Sequence, residues 1–294
     1  MTPKPFVKAA GGKTKLVPAI MARLPAELAG RVPRSDSDEG VPDFRGVYYE
    51  PFVGGGAVFL AIASRIPLEL RKDRDPWAVL NDANADLMHA YVSVRDAGPK
   101  LEARLKEMRR SHCKEFYYKT RGEEPAEAFE RAARFVYLNK TAFNGLHRVN
   151  AAGKFNVPMG DYKDPKITEP GVIAHWTAAL KGVDLFSKDF EPVIAKAAAG
   201  DFLYCDPPYL PRSKTADFDG YTVGGFLVKD HERLAASLTA ASARGCKFLC
   251  SQGDGETVRA LYKAFEIQSV TVRHSIAAKK SSRVPVAELL ISNY

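Results

Sequence analysis

The chain of 294 residues has few cysteines and lacks long apolar runs. Its cysteines, Cys113, Cys205, Cys246 and Cys250, form no Cys-x-x-Cys pair, and no His/Cys cluster has the spacing of a zinc site. We therefore expect no metal, reduced thiols and a cytoplasmic location, with Cys205 and Cys250 in the core. No apolar stretch approaches the ~18 residues that span a membrane, and the N-terminus lacks the apolar segment of a signal peptide. A membrane partner is not expected.

Positive charge is concentrated in two parts of the chain, whose formal net charge is +8. Residues 93–182 hold 17 Lys and Arg against 11 Asp and Glu, and residues 1–34 hold seven basic side chains against one acidic. Two basic regions on an otherwise balanced chain favour a surface for a polyanion such as nucleic acid. Charge that only maintains solubility is the alternative.

Short apolar segments alternate with helical segments along most of the chain. This alternation predicts a mostly parallel α/β sheet, whose last two strands form an antiparallel hairpin at an edge. The predicted strands are 47–50, 77–82, 183–186, 202–205, 246–251, 267–274 and 287–292.

Residues 97–182 interrupt this alternation. They contain two predicted helices, 98–111 and 126–139, followed by a basic, loop-rich stretch at 141–170. We interpret 97–182 as a second domain inserted into a first domain made of 1–96 and 183–294. Residues 33–46 are predicted to be an exposed loop.

The tetrapeptide Asp206-Pro207-Pro208-Tyr209 follows an apolar segment that is typical of a buried strand. Two consecutive prolines end the strand and remove two backbone donors. The resulting rigid turn carries a carboxylate, a proline carbonyl and an aromatic ring. These groups suit an exocyclic amine on a planar base, which has two N–H bonds to donate and a face on which a ring can stack. A turn without a ligand is the alternative.

Gly54-Gly55-Gly56 lies between a predicted strand and a predicted helix. Glycines here allow a ligand to approach the backbone near a helix N-terminus. Asp82 ends the next strand, where a carboxylate binds a ribose diol in doubly wound folds. A nicotinamide or flavin site is disfavoured because Phe59 occupies the last glycine position of the G-x-G-x-x-G pattern.

Residues 137–148 end a helix in a turn that carries an aromatic residue, an amide and an arginine, and more basic and amide side chains follow. Arginine can bind guanine, amides can bind adenine and lysines contact phosphates. The composition indicates a nucleic-acid groove or an ordinary solvated loop.

Taken together, these motifs resemble the Dam-type (D12 class, α-group) DNA adenine-N6 methyltransferases almost from end to end. The order also matches, with the cofactor motif first, the recognition insertion second and the catalytic tetrapeptide third. The matching segments are Lys8-Ala-Ala-Gly-Gly-Lys13, Glu50-Pro-Phe-Val-Gly54, Asn81-Asp82-Ala-Asn84-Ala-Asp-Leu87, Tyr137-Leu-Asn139, Phe143-Asn-Gly-Leu-His-Arg148, Gly153-Lys-Phe-Asn-Val-Pro158, Asp206-Pro-Pro-Tyr209, Arg273-His-Ser-Ile276 and Glu288-Leu-Leu290.

The resemblance implies a Rossmann-like S-adenosyl-L-methionine-dependent methyltransferase sheet with an inserted, mainly helical DNA-recognition domain. It implies transfer of a methyl group to N6 of a flipped adenine, within GATC or a related site. It also implies that the protein binds double-stranded DNA as a monomer, in the cytoplasm at the nucleoid. The methylation would serve restriction-modification or DNA replication. The implied catalytic residues are Asp206, Pro207 and Tyr209. The implied cofactor residues are Ala9, Ala10, Lys13, Glu50, Phe52, Gly54, Asp82, Asp189, Phe190 and Asp206. The implied DNA-binding residues are Phe143, Asn144, Leu146, Arg148 and Lys163.

The sequence departs from this family pattern at a few positions. The family frequently has an aromatic residue where this chain has Ala9, asparagine where it has Gln252, and a basic residue where it has Asp161. Residues 35–46 resemble a segment added to the family pattern. Two other classes stay open, namely N4-cytosine or glutamine methyltransferases, which usually carry Asn or Ser before the prolines, and an inactive DNA-binding module.

Overall fold

A mostly parallel sheet of seven strands runs through the protein. The computed structural model describes residues 4–9, 11–29, 44–67, 71, 75–150, 152–210, 225–272 and 286–294. The order across the sheet is β3-β2-β1-β4-β5-β7-β6; the first five strands are parallel, and β7 is antiparallel to both of its neighbours. This confirms the predicted fold class and places the β6–β7 hairpin at the edge. The strands are β1 (Tyr48–Glu50), β2 (Ala78–Asn81), β3 (Val183–Phe186), β4 (Phe202–Cys205), β5 (Lys247–Gly253), β6 (Glu266–Val272) and β7 (Val286–Ser292).

Helices cover both faces of the sheet, and an apolar cluster lies on each side. No described helix is long and apolar enough to cross a membrane. Short 3₁₀ turns lie at Lys13–Lys15 and Phe143–Gly145. The α-helices are α1 (Val17–Met21), α2 (Ala26–Ala29), α3 (Ala57–Ala63), α4 (Ala85–Arg110), α5 (Lys114–Gly122), α6 (Ala128–Thr141), α7 (Val172–Ala179), α8 (Phe190–Ile194), α9 (Val228–Ala243) and α10 (Glu256–Leu261).

The central strands are buried on both faces, as expected of parallel strands between helix layers. Every residue of β1, β2 and β4 is buried. Because side chains alternate along a strand, Tyr204 belongs to one apolar cluster and its neighbours Leu203 and Cys205 belong to another. Cys205 and Cys250 are both buried, as predicted.

The segment between β2 and β3 contains α4 to α7. The predicted helix 98–111 is the second half of a longer element, α4, which is kinked at Ala97 (φ −138°, ψ 30°). Pro99 lies directly after the kink, where its missing N–H costs little. Helix α5 has no counterpart in the sequence prediction. Residues of the insertion such as Leu101 share a continuous apolar cluster with Phe59 of α3, so the two predicted domains have a common core. The domain boundaries stay a prediction.

The chain order reverses between β1 and β4, which are neighbours in the sheet. From β1 the chain continues to β2 on one side, whereas from β4 it continues to β5 on the other side. Loops that diverge in this way open a crevice at the carboxyl ends of the strands, which is where open α/β sheets bind ligands. Glu50 ends β1 and Asp206 directly follows β4, so both lie at this crevice.

Candidate active site

A cavity of about 540 Å³ occupies the crevice. Its wall contains predicted residues from four separate segments of the chain, which the fold brings together. These are Ala9 and Lys13 of the N-terminal segment, Glu50 at the end of β1 with Phe52 and Gly54 after it, Asp82 after β2, and Asp206, Pro207 and Tyr209 after β4. Pro208, Phe226 and the glycines Gly11, Gly12, Gly55 and Gly56 complete much of the remaining wall.

The turn after β1 requires glycine at two positions. Gly54 (φ 48°) and Gly56 (φ 63°) both adopt the left-handed conformation. A Cβ atom on Gly56 would lie 2.5 Å from the Trp176 ring and 2.5 Å from the Tyr91 hydroxyl. The Tyr91 hydroxyl also donates to the Gly54 carbonyl over 3.0 Å. The turn is therefore held from behind, with its backbone facing the cavity.

Asp82 connects this turn to the start of α4. Its Oδ2 accepts a hydrogen bond from the Gly54 N–H at 3.0 Å, and its Oδ1 accepts one from the Asn84 N–H at 2.9 Å. Burial raises the pKa of Asp82, and these two hydrogen bonds oppose the rise. Each carboxylate oxygen has a second lone pair, so Asp82 can still accept hydrogen bonds from a ligand in the cavity.

Asp206 and Lys13 form an ion pair in the cavity wall. The Lys13 Nζ lies 2.8 Å from the Asp206 Oδ1, with only 9% of the Lys13 side chain and 19% of the Asp206 side chain exposed. Burial raises the pKa of Asp206 to about 6, although the Lys13 charge and hydrogen bond lower it. Lys13 therefore favours the ionised carboxylate at neutral pH.

Glu50 is a second acidic group in the same cavity. Its Oε2 accepts a hydrogen bond from the Tyr48 hydroxyl at 2.6 Å. Burial raises the pKa of Glu50 well above its ordinary range, and the charge of Asp206 raises it further. A cationic ligand group would favour ionisation of both carboxyls.

The Tyr209 ring is held on three sides. The Lys13 Nζ lies 4.6 Å from the ring centroid, and the hydroxyl donates to the Glu288 Oε2 over 2.9 Å. On the third side the ring packs against Gly253, where an added Cβ would lie 3.3 Å from the Tyr209 Cδ2.

Aromatic rings form another wall of the cavity. The Phe52 centroid lies 5.3 Å from that of Phe190 and 5.7 Å from that of Phe226. Phe190 packs behind Phe52 and is not part of the cavity wall described here. Asp189 caps α8 by accepting from the Glu191 N–H, and its Oδ1 also lies 2.9 Å from the Arg233 Nη2. The structure thus places Asp189 and Phe190 beside the cavity rather than in its wall.

The predicted DNA-binding residues lie on a separate surface. Bridges Ala142↔Met159 and Val149↔Phe155 close a hairpin within the insertion. Along its first arm, Phe143 and Asn144 are exposed, Leu146 is half-buried and Arg148 is exposed. The Arg148 Nε donates to the Asn156 Oδ1 over 2.8 Å, which fixes the direction of the guanidinium group. Lys163 is exposed beyond the hairpin.

The hairpin connects to the cavity through the N-terminal segment. The Lys8 N–H donates to the Asn139 Oδ1 over 2.7 Å, and the Asn139 Nδ2 donates to the Lys8 carbonyl over 2.7 Å. The Lys8 Nζ donates to the Lys140 carbonyl and to the Tyr162 hydroxyl. Lys8 is therefore hydrogen-bonded to the end of α6, directly before the hairpin, and the cavity residues Ala9 and Lys13 follow Lys8 in the chain.

Comparison with known proteins identifies the family. The sequence pattern of the D12 class N6 adenine-specific DNA methyltransferases matches residues 10–276. The chain belongs to this family. It is an adenine-specific DNA methyltransferase.

Curated relatives match over nearly their whole length. The chain is 36% identical to the type II methyltransferase M.MjaIII of Methanocaldococcus jannaschii, over 100% of both chains. It is 33% identical to the type II methyltransferase M1.LlaDCHI of Lactococcus lactis subsp. cremoris, over 99% of this chain and 95% of the relative. It is 32% identical to the DNA adenine methylase of Escherichia coli K12, over 97% and 93%.

Several residues that shape the cavity have no individual role in the sequence prediction. Tyr91 and Glu288 act from distant helices and strands, and their contacts depend on packing that no local pattern reveals. His231 is buried behind the Asp206 turn, with its ring 4.7 Å from that of Phe226. Its Nδ1 lies 3.5 Å from the Nε2 of Gln252, one of the positions that depart from the family pattern. Among these residues only Glu288 lies in a sequence segment that resembles the family, and this resemblance is the one sequence signal that could have pointed to it.

Some sequence predictions for the methyltransferase fall on residues outside the described part of the chain. These are the cofactor contact Ala10, the segment Arg273 to Ile276 and most of the proposed loop at 33–46.

Proposed function

We propose that this methyltransferase transfers a methyl group from S-adenosyl-L-methionine to N6 of an adenine that is flipped out of double-stranded DNA, within GATC or a related site that begins with guanine. One observation carries the proposal. The Gly54 turn with Asp82 and the Asp206-Pro-Pro-Tyr turn face the same cavity at the switch point of the sheet. A cofactor site and an amine site are therefore adjacent.

The cavity fits S-adenosyl-L-methionine in its donor and acceptor groups. Asp82 can accept hydrogen bonds from the ribose diol, while the glycine turn lets the ligand approach the backbone. Phe52 offers an aromatic face for the adenine ring, and Phe190 supports Phe52 from behind. Asp189 and Phe190, beside the cavity, are proposed to contact the cofactor adenine. Ala9, Lys13 and Glu50, in the cavity wall, are proposed as further cofactor-binding residues.

The cofactor supplies an electrophilic methyl group on a sulfonium sulfur. Adenine N6 is a poor nucleophile because its lone pair is conjugated with the ring. The Asp206 carboxylate and the Pro207 carbonyl accept its two N–H bonds, which favours a pyramidal nitrogen with an available lone pair. Groups fixed in this geometry before reaction stabilise the charge that develops on N6.

Proton transfer completes the proposed reaction. As N6 forms a bond to the methyl carbon, the carbon–sulfur bond would break with its electron pair kept by the sulfur, and the positively charged N6 would then have to lose one proton. Burial sets the pKa of Asp206 at about 6, so this carboxylate can accept the proton and release it to water near neutral pH. Lys13 assists by keeping Asp206 ionised before each turnover.

Base flipping follows from the depth of the site. Asp206 lies in a cavity, and N6 of a paired adenine is inside the duplex, so the base must leave the stack to reach the carboxylate. Tyr209 would stack on the flipped base, a contact typically worth ~1–3 kcal/mol.

Recognition of the site is proposed for the hairpin. Arg148 projects a guanidinium group from an exposed arm, and its fork matches O6 and N7 of guanine. Phe143, Asn144 and Leu146 lie on the same arm, and Lys163 is proposed to contact a phosphate. A guanine at the start of the site is the expected consequence.

We further propose that one copy of the chain acts alone, at the nucleoid in the cytoplasm. In support, one chain supplies the proposed cofactor groups and the proposed amine-binding groups of the described cavity wall. Expression in a host that lacks adenine methylation, followed by mapping of N6-methyladenine, tests the proposed site. We expect methylation at GATC or a relative beginning with guanine, and a motif without guanine before the adenine would contradict the role of the hairpin.

A further inference from the structure

The Tyr209 hydroxyl donates to a buried carboxylate on a strand that is distant in sequence. Tyr209 follows β4, whereas Glu288 belongs to β7, and the two side chains meet over 2.9 Å between the hydroxyl and the Glu288 Oε2. Glu288 is only 2% exposed. A buried carboxylate is costly unless it is hydrogen-bonded, so a glutamate at this position calls for a specific reason.

The strand register brings the other contact to Tyr209. Glu288 pairs with Gly253 on β5 and with Val270 on β6. Gly253 leaves room for the tyrosine ring, since a Cβ at this position would approach the Tyr209 Cδ2 to 3.3 Å. One edge of the ring therefore packs on β5 while its far end is bonded to β7.

We propose that Glu288 is a positioning residue for methyl transfer, which holds the Tyr209 ring in the orientation that stacks on the flipped adenine. This inference rests on the proposed function. The two prolines fix the backbone before Tyr209, but they leave the side-chain torsions of the tyrosine free. A hydrogen bond at the hydroxyl, the atom farthest from the backbone, removes most of that freedom before the base arrives.

The chemistry of the pair suits this role. Burial raises the pKa of Tyr209, and the charges of Asp206 and Glu288 raise it further. The phenol is therefore protonated at neutral pH, with its single O–H bond directed to Glu288.

The first test is Tyr209→Phe, which removes the hydroxyl and keeps the ring. We expect the single-turnover methylation rate at saturating cofactor and DNA to fall about tenfold, because a hydrogen bond to a charged acceptor typically accounts for a free-energy difference of this size. Cofactor affinity measured by calorimetry should not change. The substrate is a duplex that carries the motif mapped in the host experiment.

The second test is a double-mutant cycle. Glu288→Met should lower the rate about as much as Tyr209→Phe, and the double variant should be no slower than the slower single variant. Glu288→Gln keeps an acceptor oxygen and should recover most of the rate. Leu290→Met, a volume-conserving change on the same strand, is the matched control and should behave as wild type, with the melting temperature of each variant recorded.

A wild-type rate for Tyr209→Phe or for Glu288→Met overturns the positioning role. A double variant whose methylation rate falls about a hundredfold, the product of the two single losses, also overturns it. If Glu288→Met does not fold, Tyr209→Phe decides alone because it preserves the buried strand. Asp206→Asn separates this inference from the proposed function. Full activity of Asp206→Asn refutes the mechanism given under the proposed function, whereas full activity of Tyr209→Phe with inactive Asp206→Asn refutes only the role of Glu288.

Discussion

The Lys13–Asp206 ion pair predicts how catalysis depends on pH. The proposed mechanism needs the ionised Asp206 carboxylate, because only that form offers both oxygens as acceptors. With the pKa of Asp206 at about 6, kcat/KM for DNA should fall as the pH falls through 6. The ionised fraction is about nine-tenths at pH 7 and about one-tenth at pH 5, so the expected loss between them is about tenfold.

Lys13→Met should move the fall of kcat/KM on the acidic side of the pH profile, its acid limb, to higher pH. Burial raises the pKa of Asp206, and Lys13 is the main group that opposes the rise, through its charge and its hydrogen bond over 2.8 Å. Loss of an opposite charge at this distance typically shifts a carboxyl by ~1–3 pH units, which places the limb of the variant between about pH 7 and pH 9.

The assay is the pH profile of kcat/KM for methyl incorporation into duplex DNA, fitted for the position of the limb rather than its height. Lys15→Met is the matched control, since Lys15 is exposed and carries the same charge two residues away. Its profile should superimpose on that of wild type. Equal limb positions for Lys13→Met and wild type would refute the coupling between the lysine and the carboxylate.

Three further predictions concern binding. Asp82→Asn should weaken S-adenosyl-L-methionine binding in calorimetry while DNA affinity is retained, and unchanged cofactor affinity would place the ribose elsewhere. DNA affinity should fall steeply between low and physiological salt, because the basic insertion implies several phosphate contacts. Each contact contributes about −0.9 to the slope of log K against log salt concentration. A flat dependence would contradict a DNA-binding role for 97–182. Arg148→Ala should relax selection at the guanine, a contact typically worth ~1–3 kcal/mol, whereas Lys163→Ala should weaken binding to all sequences alike. Unchanged base preference in Arg148→Ala would remove this arginine from recognition.

The fold could be predicted from the sequence because its signals are local. Apolar segments such as 202–205 are bounded by glycine, proline or charged residues. Segments 183–186 and 202–205 appear in the structure with the predicted limits, and the ends of the other five strands differ from the prediction by one or two residues. The cavity residues could also be predicted, since the carboxyl ends of parallel strands meet at one edge of the sheet. Glu50, Asp82 and Asp206 end or follow three such strands.

Contacts between distant elements could not be predicted in this way. Nothing near Glu288 indicates that its carboxylate accepts from Tyr209, because the contact depends on the register of β5 and β7. The sequence predicts that Gly56 lets a ligand approach, and Gly56 lines the cavity; its close contacts with Trp176 and the Tyr91 hydroxyl, which support the turn from behind, could not be predicted. The ion pair of Asp189 with Arg233 could not be predicted either, because Arg233 belongs to α9 and lies 44 residues further along the chain.

The most direct test of the central claim is nucleoside analysis of duplex DNA after reaction with methyl-labelled cofactor, comparing wild type with Asp206→Asn. We predict that the wild-type enzyme places the label in N6-methyladenine, and that Asp206→Asn loses the reaction while its DNA binding is retained. Label in cytosine, or activity of Asp206→Asn within about tenfold of wild type, would contradict a mechanism in which this carboxylate activates adenine N6.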